Sequence, residues 1–339
     1  MKNKEIIQRK TKILATLGPS SSTIKSIIEL SKAGANAFRL NCSHLNEAGL
    51  KDYVRKIRRA EEIIKKPIGI LVDLQGPKIR IGAVGNKDNL LKEDDIFLLD
   101  LNKEVGNKKR VSLPHKKIFE SIKRGHLVLL DDGKIHLKVI SVKKDIIKCK
   151  VLQGGYIKSN KGVNLPDTNI KTSALSGIDK KFAAIAVKQG VDWIALSFVQ
   201  KPNDIKDLRK ICSNKVSIMA KIEKPSALDH IDSIADLADG IMIARGDLGV
   251  ELPIESVPGW QKKIIRVARV KGKPVVVSTQ MLESMTSSLT PTRAEVSDVA
   301  NAVFEGADAI MLSAESASGD YPVETVKMMN KIALNIEKD

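Results

Sequence analysis

The sequence predicts an α/β fold, a (β/α)8 TIM barrel with a small all-β domain inserted after the third strand. Eight short apolar runs recur along the chain and are rich in Val, Ile, Leu and Ala, as strands buried on both faces of a parallel sheet are. Amphipathic stretches with a helical period follow these runs. A segment with hairpin signals interrupts the third strand–helix unit.

The eight predicted strands come at intervals that leave room for one helix after each. They are residues 13–18, 37–43, 68–74, 191–199, 216–223, 240–247, 274–280 and 309–316. The predicted helices are residues 22–33, 47–65, 178–189, 202–212, 226–237, 260–271, 292–305 and 321–337. Eight such units are the number that closes a barrel.

The interruption after the third strand predicts a separate, mostly β domain. An Asp-Asp-Gly turn at 131–133 joins two apolar runs, and a Lys-Lys-Asp turn at 143–145 leads to a third run. We therefore divide the chain into barrel residues 1–76, an inserted domain at 77–171, and barrel residues 172–339. An insertion here lies at the face of a barrel where active sites form, so it could act as a lid.

Composition argues against several classes of protein. No apolar run is long enough to cross a bilayer, and the charged N-terminus lacks the apolar core of a secretory signal. The three scattered cysteines, Cys42, Cys149 and Cys212, indicate neither a zinc site nor a disulfide framework. Reduced thiols and a cytoplasmic location are the expectation.

The chain is strongly basic, with a formal net charge of +17. Such a charge suits polyanionic partners, either phosphate metabolites or nucleic acid. The lysines are spread out, without a basic tail and with few aromatic residues, which favours a lysine-rich solvated surface. Charge alone does not choose among these.

Polar residues cluster where the predicted strands end. Arg39, Asn41 and Ser43 alternate with apolar residues and share one face of the second strand, as a phosphate site or a capped strand end would require. At the end of the seventh strand, Thr279 could be catalytic or a simple cap.

The fifth and sixth strands end in carboxylates. Lys221 and Glu223 share a face, and Asp247 follows the neighbouring strand. Two carboxylates without a nearby His or Cys suit Mg²⁺ or Mn²⁺, although a structural Lys–Glu pair is the alternative. Gly246 allows close backbone approach, and amides there could hold a substrate carboxylate.

These positions together suit phosphoryl transfer, which depends on positioning and charge neutralisation. The chain carries neither a P-loop nor a kinase-type glycine loop, so a nucleotide would have to bind by another route. The barrel mouth would present Arg39, Asp73, Arg80, Lys221, Glu223, Asp247 and Thr279.

An ordered set of motifs along nearly the whole chain resembles the pyruvate kinase family. The motifs include Arg-Leu-Asn-Cys-Ser-His at 39–44, Asp-Leu-Gln-Gly-Pro-Lys-Ile-Arg at 73–80, Lys-Gly-Val-Asn-Leu-Pro at 161–166, Met-Ala-Lys-Ile-Glu at 219–223, Ala-Arg-Gly-Asp-Leu-Gly at 244–249 and Pro-Thr-Arg-Ala-Glu at 291–295. The resemblance implies phosphoryl transfer from phosphoenolpyruvate to ADP, giving pyruvate and ATP in glycolysis, with Mg²⁺ or Mn²⁺ as cofactor.

The resemblance also implies a role for each matching residue. The catalytic residues would be Lys221, Thr279, Arg39 and Arg80. The substrate would be bound by Lys221, Gly246, Asp247 and Thr279. The nucleotide would be bound by Arg39, Asn41, His44, Arg80 and Lys161, although His44 alone could be a surface histidine. The divalent metal would be held by Glu223 and Asp247, and a monovalent-type site would be lined by Asn41, Ser43 and Asp73.

Two departures from the family pattern matter. Leu74 and Lys78 stand where K⁺-dependent members carry Thr and Glu, so we expect that K⁺ is not required and that the Lys78 ammonium replaces it; a surface lysine is the alternative. The sequence ends near the end of the barrel, so we expect no C-terminal regulatory domain, and a homodimer through the barrel rather than a tetramer.

Other functions stay open at this point. One is a catalytically weak pyruvate kinase remnant kept for binding or regulation. Another is a different metal-dependent pyruvate or phosphoenolpyruvate barrel enzyme, such as a lyase, which the inserted domain and Lys161 argue against. Nucleic-acid binding is supported by net charge alone and would show steep salt dependence.

Overall fold

The computed structural model describes residues 9–85, 89–168 and 173–338, and its centre is a closed barrel of eight parallel strands. The strands follow the chain order around the barrel, and the first pairs with the eighth in the register Lys12 to Ala309. The predicted fold class is confirmed. The first to eighth barrel strands are Lys12–Thr16, Ala37–Asn41, Gly69–Asp73, Trp193–Leu196, Ser217–Ile222, Gly240–Ala244, Val275–Ser278 and Ala309–Leu312.

Helices surround the barrel and cover its outer face. Several begin at polar caps, among them Thr23, Ser176 and Thr292, whose side chains accept from backbone amides of the first turn. The long helices are Ile24–Ala33, Glu47–Ile64, Gly177–Lys188, Pro202–Cys212, Val257–Val270, Arg293–Phe304 and Pro322–Ile336. Shorter helices are Pro225–Leu228, Ile231–Leu237, Arg245–Glu251 and Ala314–Ala317, and single 3₁₀ turns are Pro19–Ser21, Ile254–Ser256 and Glu283–Thr286.

Two helical segments differ from the prediction. The helix expected at 226–237 is two pieces, Pro225–Leu228 and Ile231–Leu237. The sixth strand, expected to reach residue 247, ends at Ala244, and Arg245–Glu251 form a short helix. Gly246 and Asp247 therefore lie in the first turn of a helix rather than at a strand end.

The residues after the third strand build a second hydrophobic core, separate from the barrel core and formed by side chains between Ile81 and Leu165. The predicted hairpin is present, as Leu127–Leu130 pairs with Ile135–Lys143. The six-stranded sheet has the order Val163–Asn164, Leu127–Leu130, Ile135–Lys143, Ile146–Gln153, Ile96–Asp100 and Arg110–Ser112. Gly155–Tyr156 pairs separately with Leu90–Leu91.

This inserted domain is not purely β, because it contains the helix Lys116–Ser121. Its predicted boundaries at 77 and 171 stay predictions, and the second lies outside the described residues. The chain leaves the barrel through Gly76, whose φ of 69° is left-handed. A Cβ added to Gly76 would lie 2.6 Å from Cδ2 of Phe198, so glycine is required here for both reasons. The buried Asp179 carboxylate accepts the Gly76 amide at 3.1 Å and also caps its own helix.

Candidate active site

A layer of polar side chains lies directly above the apolar interior of the barrel. Side chains alternate along a strand, so a residue two positions beyond an interior residue also points inward. The interior layer consists of Leu14, Leu71, Ala195, Met219, Met242, Val276 and Met311. Two positions later on their strands, or just beyond the strand end, stand Thr16, Asp73, Ser197, Lys221 and Ser278. The polar layer therefore forms at the carboxyl ends of the strands.

Lys221 is the centre of this layer. Its ammonium lies 2.8 Å from Oε1 of Glu223, 3.1 Å from Oδ1 of Asp73 and 2.8 Å from Oγ of Ser197. Arg39 donates from Nε to the other Asp73 oxygen at 2.7 Å. Asp73 and Glu223 are each only 1% exposed at the side chain. The structure thus brings four of the predicted site residues into one buried ionic network.

The attraction between opposite charges in this network outweighs the cost of burying them, as the pKa shifts of two members show. Burial lowers the pKa of Lys221, but attraction to Asp73 and Glu223 outweighs it, and the net pKa is raised. Burial raises the pKa of Asp73, yet Lys221 and Arg39 outweigh that and hold the net pKa below the usual value. Lys221 is therefore a cation and Asp73 an anion at neutral pH.

Glu223 and Asp247 are close enough to interact. Burial raises the pKa of Glu223, and the negative charge of Asp247 adds to that effect. Oε2 of Glu223 also accepts the Phe198 amide at 2.6 Å. Among residues 9–85, 89–168 and 173–338, no group of three or more His, Cys, Asp or Glu side chains is arranged to hold a metal. Two neighbouring carboxylates still fit Mg²⁺, which takes one or two protein carboxylates and completes its shell with water and substrate oxygens.

Thr279 and Gly246 are paired across the mouth. The Gly246 amide donates to Oγ1 of Thr279 at 2.7 Å, and that hydroxyl donates to the Ser278 carbonyl at 2.6 Å. Thr279 has a φ of 70° and Gln280 a φ of 52°. A left-handed backbone is costly for a β-branched residue, and such outliers concentrate at functional sites.

The remaining predicted residues of the second strand lie at its end. Asn41 pairs in register with Asp73 of the third strand, and its side chain accepts the Ser43 amide at 3.1 Å. Ser43 and His44 are exposed, because the strand ends at Asn41 and not at residue 43 as predicted. The alternation of Arg39 and Asn41 with buried Leu40 is confirmed.

Residues predicted from the inserted domain are not in contact with Lys221. Arg80 is exposed and donates to the Asn160 carbonyl at 2.8 Å, and Lys161 pairs with Asp131 at 2.7 Å. Lys78 is exposed and borders two cavities between the inserted domain and the barrel, of 410 and 870 Å³. Asp247 borders both as well. The cavities connect the surface of the inserted domain to the candidate metal ligand.

Three residues of the site were missed by the sequence analysis. Ser197 bonds to Lys221 and ends an apolar run, a signal that was available. Phe198 contributes through its backbone amide, which no sequence pattern reveals. Arg245 contacts the turn after the seventh strand, and its strand-end position was also a signal. Within the described ranges, no helix is both long and apolar enough to cross a membrane.

Comparisons with known proteins agree with this architecture. Residues 8–326 match the family model described as the pyruvate kinase barrel domain. A pyruvate kinase of Methylorubrum extorquens is 51% identical over 331 residues, which cover 98% of this chain and 69% of that protein. A pyruvate kinase of Agrobacterium vitis is 48% identical over 331 residues, which cover 97% of this chain and 70% of the relative.

A solved structure gives the same result. The crystal structure of a pyruvate kinase from Cryptosporidium parvum matches with a TM-score of 0.94 at 37% identity, covering 97% of this chain and 70% of that one. Sequence, family model and fold therefore agree on a single assignment. The chain belongs to the pyruvate kinase family and is a phosphotransferase.

Proposed function

We propose that the chain transfers the phosphoryl group of phosphoenolpyruvate to ADP at the barrel mouth, giving pyruvate and ATP in glycolysis. The observation that carries this proposal is the buried ammonium of Lys221, held between the carboxylates of Asp73 and Glu223 at 3.1 and 2.8 Å. Charge develops on the transferring phosphoryl group and on the enolate that it leaves. A fixed ammonium stabilises both, and losing one preorganised charge costs about 10²–10³ in rate.

Arg39 and Arg80 would hold phosphate oxygens from two sides. Arg39 is oriented by Asp73 and by a hydrogen bond to Thr16 at 3.2 Å, so its fork has a fixed direction. Arg80 comes from the inserted domain and is exposed in the structure described here. Transfer would require Arg80 to approach as the inserted domain closes, which is the expected behaviour of a lid.

Mg²⁺ or Mn²⁺ would be held by Glu223 and Asp247. Bound there, the ion would supply positive charge to the substrate carboxylate and phosphoryl oxygens. The protein would contribute two oxygen ligands. Burial raises the pKa of Glu223, the nearby Lys221 ammonium opposes that rise, and the negative charge of Asp247 adds to it. The backbone amides of Gly246 and Asp247 would orient the carboxylate, since amides in the first turn of a helix have no partner within that helix. The Gly246 amide, which donates to the Thr279 hydroxyl in this structure, would share its hydrogen with the carboxylate or exchange one acceptor for the other.

Thr279 would relay a proton to the methylene carbon of enolpyruvate. In this step the Thr279 O–H bond would break as its proton forms the new C–H bond at that carbon, and the enolate C–O⁻ would become the ketone C=O. A water would return a proton to the Thr279 oxygen and leave as hydroxide. The Thr279 hydroxyl has fixed partners in the Gly246 amide and the Ser278 carbonyl. A hydroxyl fixed in this way suits a relay because proton transfer demands hydrogen-bond geometry.

The nucleotide would be bound by five residues, Arg39, Asn41, His44, Arg80 and Lys161. The exposed His44 and the inserted-domain Lys161 lie outside the buried network, where a second substrate would enter. Lys161 is paired with Asp131, so ADP would exchange one anionic partner of this ammonium for another.

We also propose that activity does not require K⁺. Leu74 is buried and apolar where a cation ligand would otherwise stand, and the exposed Lys78, which borders the same two cavities as Asp247, would supply the positive charge in place of K⁺. Replacing K⁺ by tetramethylammonium should leave turnover within about twofold. A many-fold drop would contradict the proposal, and a Lys78→Glu variant should acquire a K⁺ requirement.

A coupled assay tests the main proposal. Purified protein with Mg²⁺, ADP and phosphoenolpyruvate should form pyruvate and ATP in equal amounts. A catalytically weak remnant would bind these ligands without turnover, and a lyase would consume phosphoenolpyruvate without forming ATP. Retention on nucleic acid that falls steeply with salt would favour a nucleic-acid role.

We further propose a reducing, cytoplasmic location and a homodimer through the barrel. The three free cysteines are buried, and burial raises the pKa of the Cys149 thiol to about 12, which suits unreactive thiols.

On the barrel, Val270 and Phe304 are 80% and 72% exposed at the ends of two helices linked by the Gln261–Glu305 hydrogen bond. Sedimentation analysis of wild type and Phe304→Ser would test the dimer; a monomeric wild type would contradict it.

A further inference from the structure

Arg245 makes an unusually complete set of contacts with the turn that follows the seventh strand. Its guanidinium donates to three successive carbonyls, those of Ser278 at 3.3 Å, Thr279 at 2.6 Å and Gln280 at 3.3 Å. On its other side it forms an ion pair with Asp298 at 2.7 Å. The guanidinium of Arg245 thus donates its hydrogen bonds to protein groups.

The turn that Arg245 holds is the strained one. Thr279 and Gln280 both have left-handed backbone conformations, and neither is glycine. Such a conformation persists only where surrounding contacts fix it. Each carbonyl of the turn is satisfied by the same guanidinium, whose planar shape matches several acceptors at once.

We propose that Arg245 is a positioning residue, which fixes the Thr279 hydroxyl for protonation of enolpyruvate. The inference rests on the proposed function, in which Thr279 is the proton relay. Arg245 also precedes Gly246, whose amide donates to Thr279 Oγ1 at 2.7 Å. One residue therefore controls the Thr279 backbone through its side chain and lies next to the amide that holds the Thr279 hydroxyl.

The charge balance argues against a direct phosphate-binding role. Asp298 neutralises the guanidinium from one side, and Gln261 and the Met281 sulfur lie 3.4 and 2.8 Å away on others. Arg39, by comparison, donates to one carboxylate and one hydroxyl and keeps donors for a ligand. The contacts of Arg245 are those of a residue that positions the neighbouring turn, whereas those of Arg39 leave donors free to bind a ligand.

The test compares Arg245→Lys, Thr279→Val and the double variant. Lysine keeps the charge but cannot bridge three carbonyls. Two reactions are measured: phosphoryl transfer in the coupled assay, and deuterium uptake from D₂O into the pyruvate methyl group with Mg²⁺ and ATP. Deuterium uptake in Arg245→Lys should fall about tenfold to hundredfold, as misplacement of a catalytic group does. The KM for phosphoenolpyruvate should stay within about twofold.

The double variant is decisive because neighbours acting through one group are not additive. If Arg245 acts through Thr279, the double variant should exchange no more slowly than Thr279→Val alone. Losses that multiply, or exchange at the wild-type rate in Arg245→Lys, would overturn the inference. Arg266→Lys, an exposed arginine on the helix Val257–Val270, is the matched control and should behave as wild type.

Two further observations keep the outcomes distinguishable. Should Arg245→Lys fail to fold, Asp298→Asn removes the ion pair that orients Arg245 and should show the same selective loss of exchange. An inactive wild type would overturn the proposed function itself. A normal Thr279→Val in an active enzyme would remove the relay and the inference with it, whereas a normal Arg245→Lys beside an impaired Thr279→Val would remove the inference alone.

Discussion

The two groups of charged residues in this molecule are built in opposite ways. At the barrel mouth, Lys221 and Asp73 are buried and tied to each other, with side-chain exposures of 9% and 1%. In the inserted domain, Lys161 is 36% exposed and pairs with Asp131 at the hairpin turn, while Arg80 is exposed on a short β-bridge to Gly162. Charge fixed in the barrel is preorganised, whereas charge in the inserted domain can be redirected.

The difference follows from position in the fold. A barrel strand places a polar side chain two residues above an apolar interior residue, where neighbouring strands leave one orientation. Turns and short bridges impose no comparable constraint. We therefore expect substitutions in the barrel to change turnover and stability, and substitutions in the inserted domain to change nucleotide affinity.

Among the variants that test this difference between barrel and inserted domain, Lys221→Ala should have the largest effect. Turnover should fall by at least about 10²–10³, because no other group in the described network supplies an ammonium at this point. Circular dichroism should show a folded protein. The control is the exposed Lys210→Ala on a neighbouring helix, and near-normal turnover of Lys221→Ala would refute the role.

Asp73→Asn should mainly affect stability. Asp73 bonds to both Arg39 and Lys221, so its loss leaves buried cations short of an anion, at a cost of about 3 kcal/mol in the free energy of unfolding. Denaturant unfolding measures this, with the exposed Asp207→Asn as control. A change below about 0.5 kcal/mol would contradict the network's importance.

The same residue predicts an acid dependence. The folded-state pKa of Asp73 is lowered, so its stabilisation is complete above the unfolded value of about 4 and is lost as the pH falls further toward the folded value. Stability of Asp73→Asn should therefore vary less with pH below about 4 than that of wild type. Parallel acid profiles for the two proteins would contradict the assignment.

Lys161→Ala should raise the KM for ADP about tenfold, the value of one hydrogen bond to a charged group, and leave the KM for phosphoenolpyruvate nearly unchanged. Initial-rate kinetics with each substrate varied in turn measure the two constants. Lys158→Ala, a neighbouring exposed lysine, is the control. Equal changes in the KM for ADP and the KM for phosphoenolpyruvate would contradict the proposed division of roles between barrel and inserted domain.

Asp131→Asn should give the smallest effect, and in the opposite direction. Removing the partner frees Lys161 for ADP, and a partly exposed ion pair contributes about 0.2–1 kcal/mol, so the KM for ADP should fall about 1.4- to 5-fold. An increased KM would mean that Asp131 orients Lys161 rather than competing for it.

The barrel was predictable because its signals are local and repeated. Strand runs such as 69–73 and 217–222 are mostly apolar and are buried on both faces, and the alternation in Arg39, Leu40 and Asn41 is present in the structure. Lys221 and Glu223 meet as their spacing predicted. These features depend on neighbours in sequence, which a single chain displays directly.

The rest depends on contacts between distant segments. Residues 245–247, the first three of the helix Arg245–Glu251, were predicted as strand because they follow an apolar run that ends at Ala244, and only packing decides where that strand ends. Phe198 itself has a left-handed backbone, with a φ of 55°, and its amide donates to Glu223. No residue propensity predicts that conformation for a phenylalanine. Which charges of the inserted domain approach the barrel likewise depends on how the two units pack.

The point where the chain leaves the barrel for the inserted domain and the carboxylate of Glu223 are both in contact with one aromatic residue. The Phe198 ring is packed against Gly76, where the chain departs from the barrel, while the Phe198 amide holds Glu223. A side chain at position 76 would clash with that ring, and we expect the Glu223 carboxylate that the Phe198 amide holds to shift with it. The path of the chain into the inserted domain and the placement of this carboxylate therefore constrain each other through Phe198.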